Sequence, residues 1–169
     1  MPAGPKDAGA AQALAEADKH QFQLWACSMV EAVPYKGGRK GADGGVDGYI
    51  YFKPDGKTSE KAIVSVKGGR NVGVGMVRDL IATIEHERAR VGILLSLTEP
   101  TREMKKEAAS AGLYKTEMLG DFPRIQILTV DDLFLGERPR LPWVDPTVFK
   151  KARRENIAGE NKTDQGDLF

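Results

Sequence analysis

The sequence predicts an α/β sandwich, a four-stranded mixed sheet with helices on both faces. Three observations carry the prediction. Phe22, Trp25, Ala26, Met29, Val30 and Val33 fall at helical spacing and form one apolar stripe. Two short runs rich in β-branched and aromatic residues, Tyr49–Phe52 and Ala62–Lys67, flank Pro54-Asp55-Gly56-Lys57, which is turn chemistry, so they form a hairpin. The unbroken apolar run Val91-Gly92-Ile93-Leu94-Leu95-Ser96-Leu97 reads as a central strand covered on both faces. The order helix, strand, strand, helix, strand, helix, strand then describes a hairpin followed by two βαβ crossovers.

Composition narrows the class. A chain of 169 residues is long enough for one domain with a substantial core, and 41% hydrophobic with 29% charged residues is an ordinary globular balance. A formal net charge of +1 means that any nucleic-acid surface is local rather than global. The single cysteine, Cys27, and the lack of a Cys/His array exclude a zinc finger and point to a reducing compartment. No apolar run reaches the roughly 18 residues needed to span a membrane, and no signal-peptide core follows Met1, so a soluble cytoplasmic protein is expected.

Taken in order, residues 1–11 are small and polar, the composition of a linker or disordered lead. The domain proper is expected over 12–149. Its first helix runs from Gln12 to Val33 and stops at Pro34. A loop containing Gly37, Gly38, Gly41, Gly44 and Gly45 leads into the hairpin. A turn centred near Lys57 would set Lys53 opposite Lys61 and Asp47 opposite Lys67. Side chains alternate along a strand, so Ser65 and Lys67 share one face while Ala62, Val64 and Val66 take the other. The glycine-rich segment from Gly68 to Gly75 opens a helix to about Arg90, with Val77, Leu80, Ile81 and Ile84 as its core face. Pro100 belongs to the first turn of the next helix, which Gly112 closes. Ile125–Leu128 is the fourth strand and Val130–Leu135 a short helical turn. Trp143 and Phe149 are packing anchors, and 150–169, with its basic run Lys150–Arg154, is a flexible tail.

An acid (Asp47), a hydroxyl (Ser65) and a lysine (Lys67) thus gather at one end of a buried hairpin, a place to hold a metal ion and a water. The loop after Lys67 lacks both the GK[S/T] ending and the G-x-G-x-x-G order, which argues against a nucleotide site. Its amides at a helix start, with Arg70 beside them, would suit a DNA phosphate. His20 and His86 have no metal-pair spacing, Cys27 reads as a small core residue, and Glu85-His86-Glu87-Arg88 as a solvated face.

The lead Gly41-Ala42-Asp43-Gly44-Gly45-Val46-Asp47-Gly48, followed by Ser65-x-Lys67, resembles the Mrr-like branch of the PD-(D/E)xK restriction endonucleases over roughly residues 20–135. Gln21-Phe22-Gln23-Leu24-Trp25-Ala26 through Lys67 is also similar to the C-terminal domain attached to some bacterial DNA methyltransferases, although no DPPY-type motif is present. The resemblance implies a restriction-endonuclease-like three-layer sandwich and a Mg²⁺- or Mn²⁺-dependent endodeoxyribonuclease of a restriction or modification system. It implies Asp47 and the Val66 carbonyl as metal ligands and Lys67 as the catalytic cation. Ser65, Asp43 and Gln23 would be auxiliary, and Arg39, Lys40 and Arg70 would meet DNA. Ser65 and Gln23 are neutral where the family usually carries acids or, at the first of these positions, glutamine. The missing charge would come from Asp43, Asp79 or Glu31. The alternative is an inactive nuclease-fold module that binds DNA beside a methyltransferase. Double-stranded DNA is the implied partner in both readings, with a homodimer expected for double-strand cutting. The ending Gln165-Gly166-Asp167-Leu168-Phe169 resembles the peptide by which bacterial proteins dock on the replication sliding clamp, through Gln165, Leu168 and Phe169.

Overall fold

The computed structural model describes residues 4–38 and 45–142. Arg39, Lys40 and Asp43 of the glycine lead lie outside them, as do Trp143, Phe149, the basic run and the terminal Gln165, Leu168 and Phe169.

Aspartates start the chain's first two helices. Asp7 caps α1 (Ala8–Ala17) by accepting from the Ala10 amide, and Asp18 caps α2 (Lys19–Met29) by accepting from the Gln21 amide. The expected single helix over Gln12–Val33 is therefore two. Asp18 adopts an extended conformation, φ −152° and ψ 93°, which interrupts the ladder between them. The first helix also begins at Ala8, inside the stretch expected to be linker, and Ala11 is fully buried.

Next come β1 (Val33–Pro34), a 3₁₀ turn (Tyr35–Gly38), β2 (Gly48–Phe52) and β3 (Glu60–Lys67). The crossover helix α3 (Val74–His86) leads to β4 (Val91–Ser96), then α4 (Arg102–Ser110). Thr101 caps α4, so Pro100 stands just before its cap rather than within its first turn. A small separate hairpin, β5 (Leu113–Lys115) with β6 (Asp121–Pro123), precedes β7 (Ile125–Thr129) and α5 (Val130–Phe134).

The main sheet has five strands in the order β1-β2-β3-β4-β7, not four. The additional edge strand is two residues long and contains Pro34, which cannot donate to a ladder and so is tolerated only at an edge. Pairing is antiparallel from β1 to β3 and parallel from β3 to β7, where crossover helices intervene.

Alternation along β3 and β4 divides the core. Ala62, Val64, Val66, Ile93 and Leu95 meet Phe22, Trp25 and Ala26 of α2 on one face. Ile63, Leu94 and Ile125 meet Val77, Leu80 and Ile84 of α3 and Met104 of α4 on the other. This is a three-layer restriction-endonuclease-like sandwich, and β3 is its shared middle element. Among the described residues no helix is long and apolar enough to cross a membrane.

Close packing of α3 over β4 depends on Gly92. A Cβ there would come within 2.8 Å of Leu80 Cγ and 3.0 Å of Ile84 Cγ2. Gly92→Ala should lower stability by about 1–3 kcal/mol through overpacking. Gly75, in α3 with nothing within 4 Å of an added Cβ, should gain up to ~1 kcal/mol as alanine. Urea unfolding of the two variants checks this, and equal effects would contradict the packing account.

Candidate active site

Asp47 stands immediately before β2, and three backbone bonds fix it. Its amide donates to the Val64 carbonyl at 2.8 Å, and its carbonyl accepts from the Tyr35 amide at 2.9 Å. The Cys27 thiol donates to the same carbonyl with Sγ at 3.6 Å. With its peptide anchored between α2, the turn after β1 and β3, the side chain reaches across to β3. There Oδ2 accepts from the Val66 amide at 2.7 Å. In an extended strand the N–H and C=O of one residue leave on the same side, so the Val66 carbonyl also faces the Asp47 side.

Gly48 makes this geometry possible. A Cβ at Gly48 would lie 3.0 Å from Cys27 Sγ and 3.0 Å from the Val33 carbonyl oxygen. Any larger residue after the acid would push β1 and α2 back by a few tenths of an ångström.

The ladder ends with Gly48 opposite Val64, and the Asp47 amide bonds the same Val64 carbonyl, so Asp47 stands beside Val64 and not opposite Lys67 as expected. Lys61 likewise pairs with Tyr51, not Lys53. The two-residue shift has a local cause. Asp55 accepts from the amides of Lys57 and Thr58 at 2.8 and 2.6 Å, and Gly56 takes φ +75°, so the turn centres on Gly56. Val46 and Tyr49 both pack in the core on the α3 side, so strict alternation breaks at Asp47, and its carboxylate lies at the Val66 amide, between Ser65 and Lys67, which share one face.

A cleft of about 380 Å³ opens on that face at the carboxyl end of β3, lined by Gly45, Ser65, Lys67, Met76, Asp79 and Thr83, among others. Ser65 is buried at 5% exposure and Lys67 is half-buried. Asp79 is exposed on α3 and borders the same cleft as Ser65 and Lys67. Of Asp79 and Glu31, the two candidates for the second acid among the described residues, Asp79 is the one that lines this cleft. Glu31, just beyond α2 with φ 58°, and Gln23, half-buried on α2, do not line the cleft. The buried residues of α2 belong to the core on the sheet's opposite face. Arg70 is 83% exposed and pairs with Glu16 of α1 at 3.6 Å. A larger hollow of about 570 Å³ lies at the hairpin-turn end, around Asp55, Glu60, Arg90, Tyr114 and Met118, and contains none of the motif residues. The smaller cleft carries Ser65 and Lys67, and Asp47, held at the Val66 amide between them, is not among its lining residues.

Burial pushes the Cys27 thiol up to about 12, with the nearby Asp47 charge adding to the rise. The thiol is thus held protonated as a donor to the Asp47 carbonyl. The sequence gives Cys27 as core but not as support for the acid. Likewise Met76, Asp79 and Thr83 share one helical face, a stripe beside the core stripe of α3 and the signal that could have singled out Asp79.

A mixed sheet whose central hairpin carries an acid and a lysine at one end defines a nuclease of the restriction-endonuclease-like class. The family model Mrr_cat, described as a restriction endonuclease, matches residues 14–131. The chain belongs to this Mrr-like family of the PD-(D/E)xK nucleases. Among curated proteins and among solved structures, none matches it.

A protonated thiol at 1% exposure should be inert. Native protein should leave Cys27 unmodified by a thiol reagent at neutral pH, and unfolding in guanidinium should expose one reactive thiol per chain. Stoichiometric labelling of the native protein within minutes would show that α2 does not seal the back of Asp47.

Proposed function

We propose that this restriction-endonuclease-type nuclease domain is a Mg²⁺-dependent endodeoxyribonuclease that hydrolyses phosphodiester bonds of double-stranded DNA. The observation that carries the reading is the Asp47 carboxylate bound to the Val66 amide, with Ser65 and Lys67 on either side of Val66.

The donor set suits a hard cation. Asp47 offers a carboxylate, Val66 a carbonyl and Ser65 a hydroxyl, all oxygen ligands. Among the described residues no group of three or more His, Cys, Asp or Glu could hold a metal. That excludes a dedicated cage from those residues, but Mg²⁺ characteristically uses one or two carboxylates and completes its shell with waters and substrate phosphate. Asp47 and the Val66 carbonyl would hold it, and Asp79 would complete the charge from the cleft's other wall. A bound Mg²⁺ would supply a water of lowered pKa and offset charge on the scissile phosphate.

The chain's own residues have separate tasks. Asp47 is preorganised by its three backbone bonds and by the Val66 amide, so little rearrangement is needed on binding. Lys67, half-buried in a narrow cleft, places a positive charge where a phosphate oxygen becomes more negative, and it orients the attacking water. The uncapped first turn of α3, which begins after Gly73, adds amides at the same end of the sheet that favour a neighbouring phosphate. Arg39 and Lys40 would contact the flanking backbone, and Asp43 is a further auxiliary acid. Arg70 is a weaker contact because it pairs with Glu16.

The neutral Ser65 favours a second reading, a nuclease-fold module that binds DNA beside a methyltransferase without cutting. In either case we place the protein in the cytoplasm, with double-stranded DNA and a restriction or modification partner. A homodimer would provide the second cut, and the terminal Gln165, Leu168 and Phe169 would dock on a sliding clamp.

Asp47→Asn and Lys67→Ala should each reduce Mg²⁺-dependent cleavage of plasmid DNA by at least about 10²-fold while the melting temperature changes little. Asparagine preserves the acceptor for the Val66 amide, so loss of activity reports charge and not fold. Wild-type protein that cuts neither methylated nor unmethylated DNA would hand the case to the binding module.

Calorimetry with Mg²⁺ tests the second acid. Asp79→Asn should weaken metal binding, and adding Ser65→Glu to that variant should restore it. Unchanged affinity in Asp79→Asn would remove Asp79 from the ligand set.

A further inference from the structure

We propose that Tyr35, Tyr49 and Tyr51, with Lys36 and Lys61, form a stacking platform for the unpaired bases of a single-stranded nucleic acid that leads to the Asp47 end of the sheet. The proposal rests on the nuclease reading for its setting and on a separate set of side chains for its evidence.

Alternation places Tyr49 and Tyr51 on one face of β2, the face that Lys61, Ser65 and Lys67 share on β3. The row therefore begins two residues from the acid, about 7 Å along the strand. Its rings are contiguous. Tyr35 and Tyr49 have centroids 6.3 Å apart, and Tyr49 and Tyr51 are stacked at 5.9 Å. Cations lie over the aromatic faces, Lys36 Nζ 5.4 Å from the Tyr35 centroid and Lys61 Nζ 5.2 Å from that of Tyr49.

The two ends of the row differ. Tyr49 packs partly against the α3 core and donates its hydroxyl to Glu87 at 2.7 Å, so its place in the fold is accounted for. Tyr51 is 55% exposed. The edge strand β1 pairs only with Gly48 and Tyr49, which leaves Tyr51 beyond its cover. An extended flat ring continues the stack into solvent where packing does not require one. Glu87 is the acid in this patch, and its charge is met by the Tyr49 hydroxyl and by Lys61 at 3.7 Å.

Flat rings interleaved with lysines are what a single strand needs: faces for the bases and cations for the phosphates. A duplex offers no base face along its length, so the occupant is an unpaired segment, such as a frayed or overhanging end beside the cut.

The test uses the full chain without metal, binding a fluorescent oligothymidylate by anisotropy at fixed salt. Tyr51→Ala should weaken binding about 5- to 100-fold, as loss of one stacked base does. Tyr51→Phe should bind like wild type, because stacking needs the ring and not the hydroxyl. Tyr51→Leu should resemble alanine, although it keeps the apolar bulk. An abasic oligonucleotide of equal charge should bind weakly and be insensitive to Tyr51. Equal affinity for Tyr51→Leu and wild type, or for abasic and normal strands, would overturn the platform. So would a change in oligomeric state for Tyr51→Ala, which would assign the row to a contact between copies. Plasmid cleavage measured in parallel separates the two ideas. Duplex cutting without Tyr51-dependent binding sinks the platform alone, and Tyr51-dependent binding without cutting sinks catalysis alone.

Discussion

At the start of β2 the chain has to join an edge strand and at the same time turn a carboxylate toward the middle of the sheet. It does both through one residue. The main chain of Asp47 is tied to Val64 on one side and to Tyr35 and Cys27 on the other, while its side chain takes the Val66 amide that a longer β2 would otherwise have paired. A carboxylate thus substitutes for a strand residue. The amide stays satisfied, and the ladder ends on a charged group instead of an orphan donor. Everything around it follows from that substitution: glycine at 48, a buried protonated thiol at 27, and a strand β1 only two residues long.

The sheet supplies the rest. β3, β4 and β7 run parallel, so their carboxyl ends and the first turn of α3 converge on one edge, where ligands of open α/β sheets bind. Ser65 and Lys67 lie at that end because β3 is eight residues long and its last turnings alternate between a core and a cleft. Val64 and Val66 are anchored among apolar partners, which fixes the rotation of the strand and therefore the direction of the residues between them. A one-residue slip would place valines in the cleft and the lysine in the core, an outcome the hydrophobic term forbids. Register and site are thus held by the same packing.

How much of this was legible depends on whether the signal was periodic. The apolar stripe of α3, the continuous run of β4 and the hairpin were readable, because burial imposes a period of 3.6 or 2 on many residues together. The motif residues Asp47, Ser65 and Lys67 were named from the resemblance, and the common face of Ser65 and Lys67 followed from alternation along β3. Features that rest on one or two residues were not legible. Asp18 breaks a helix whose stripe runs straight through it, since a capping aspartate and a surface aspartate look alike in sequence. Val33–Pro34 is too short to show alternation, and β5 and β6 pair in isolation from the main sheet. The hairpin register depended on whether Asp55 or Lys57 governs the turn, a question of side-chain to backbone bonding that spacing does not answer.

Ser65 is the departure that most invites a physical explanation. At 5% exposure and adjacent in sequence to Val66, whose amide the Asp47 carboxylate holds, a second carboxylate at this position would be desolvated and set near a like charge. Both effects oppose ionisation, so without a cation one of the pair would be driven to its neutral form. A hydroxyl avoids this and still offers an oxygen. On our reading the charge has moved across the cleft to Asp79, where α3 leaves the carboxylate exposed and water solvates it at little cost. Such a site would hold its two acids apart in the absence of a cation. It would bind metal more weakly than one with adjacent carboxylates and depend more on the DNA phosphate to complete the shell. Metal and substrate would then favour each other's binding, since each supplies what the other lacks, and a protein of this design would be idle until both were present.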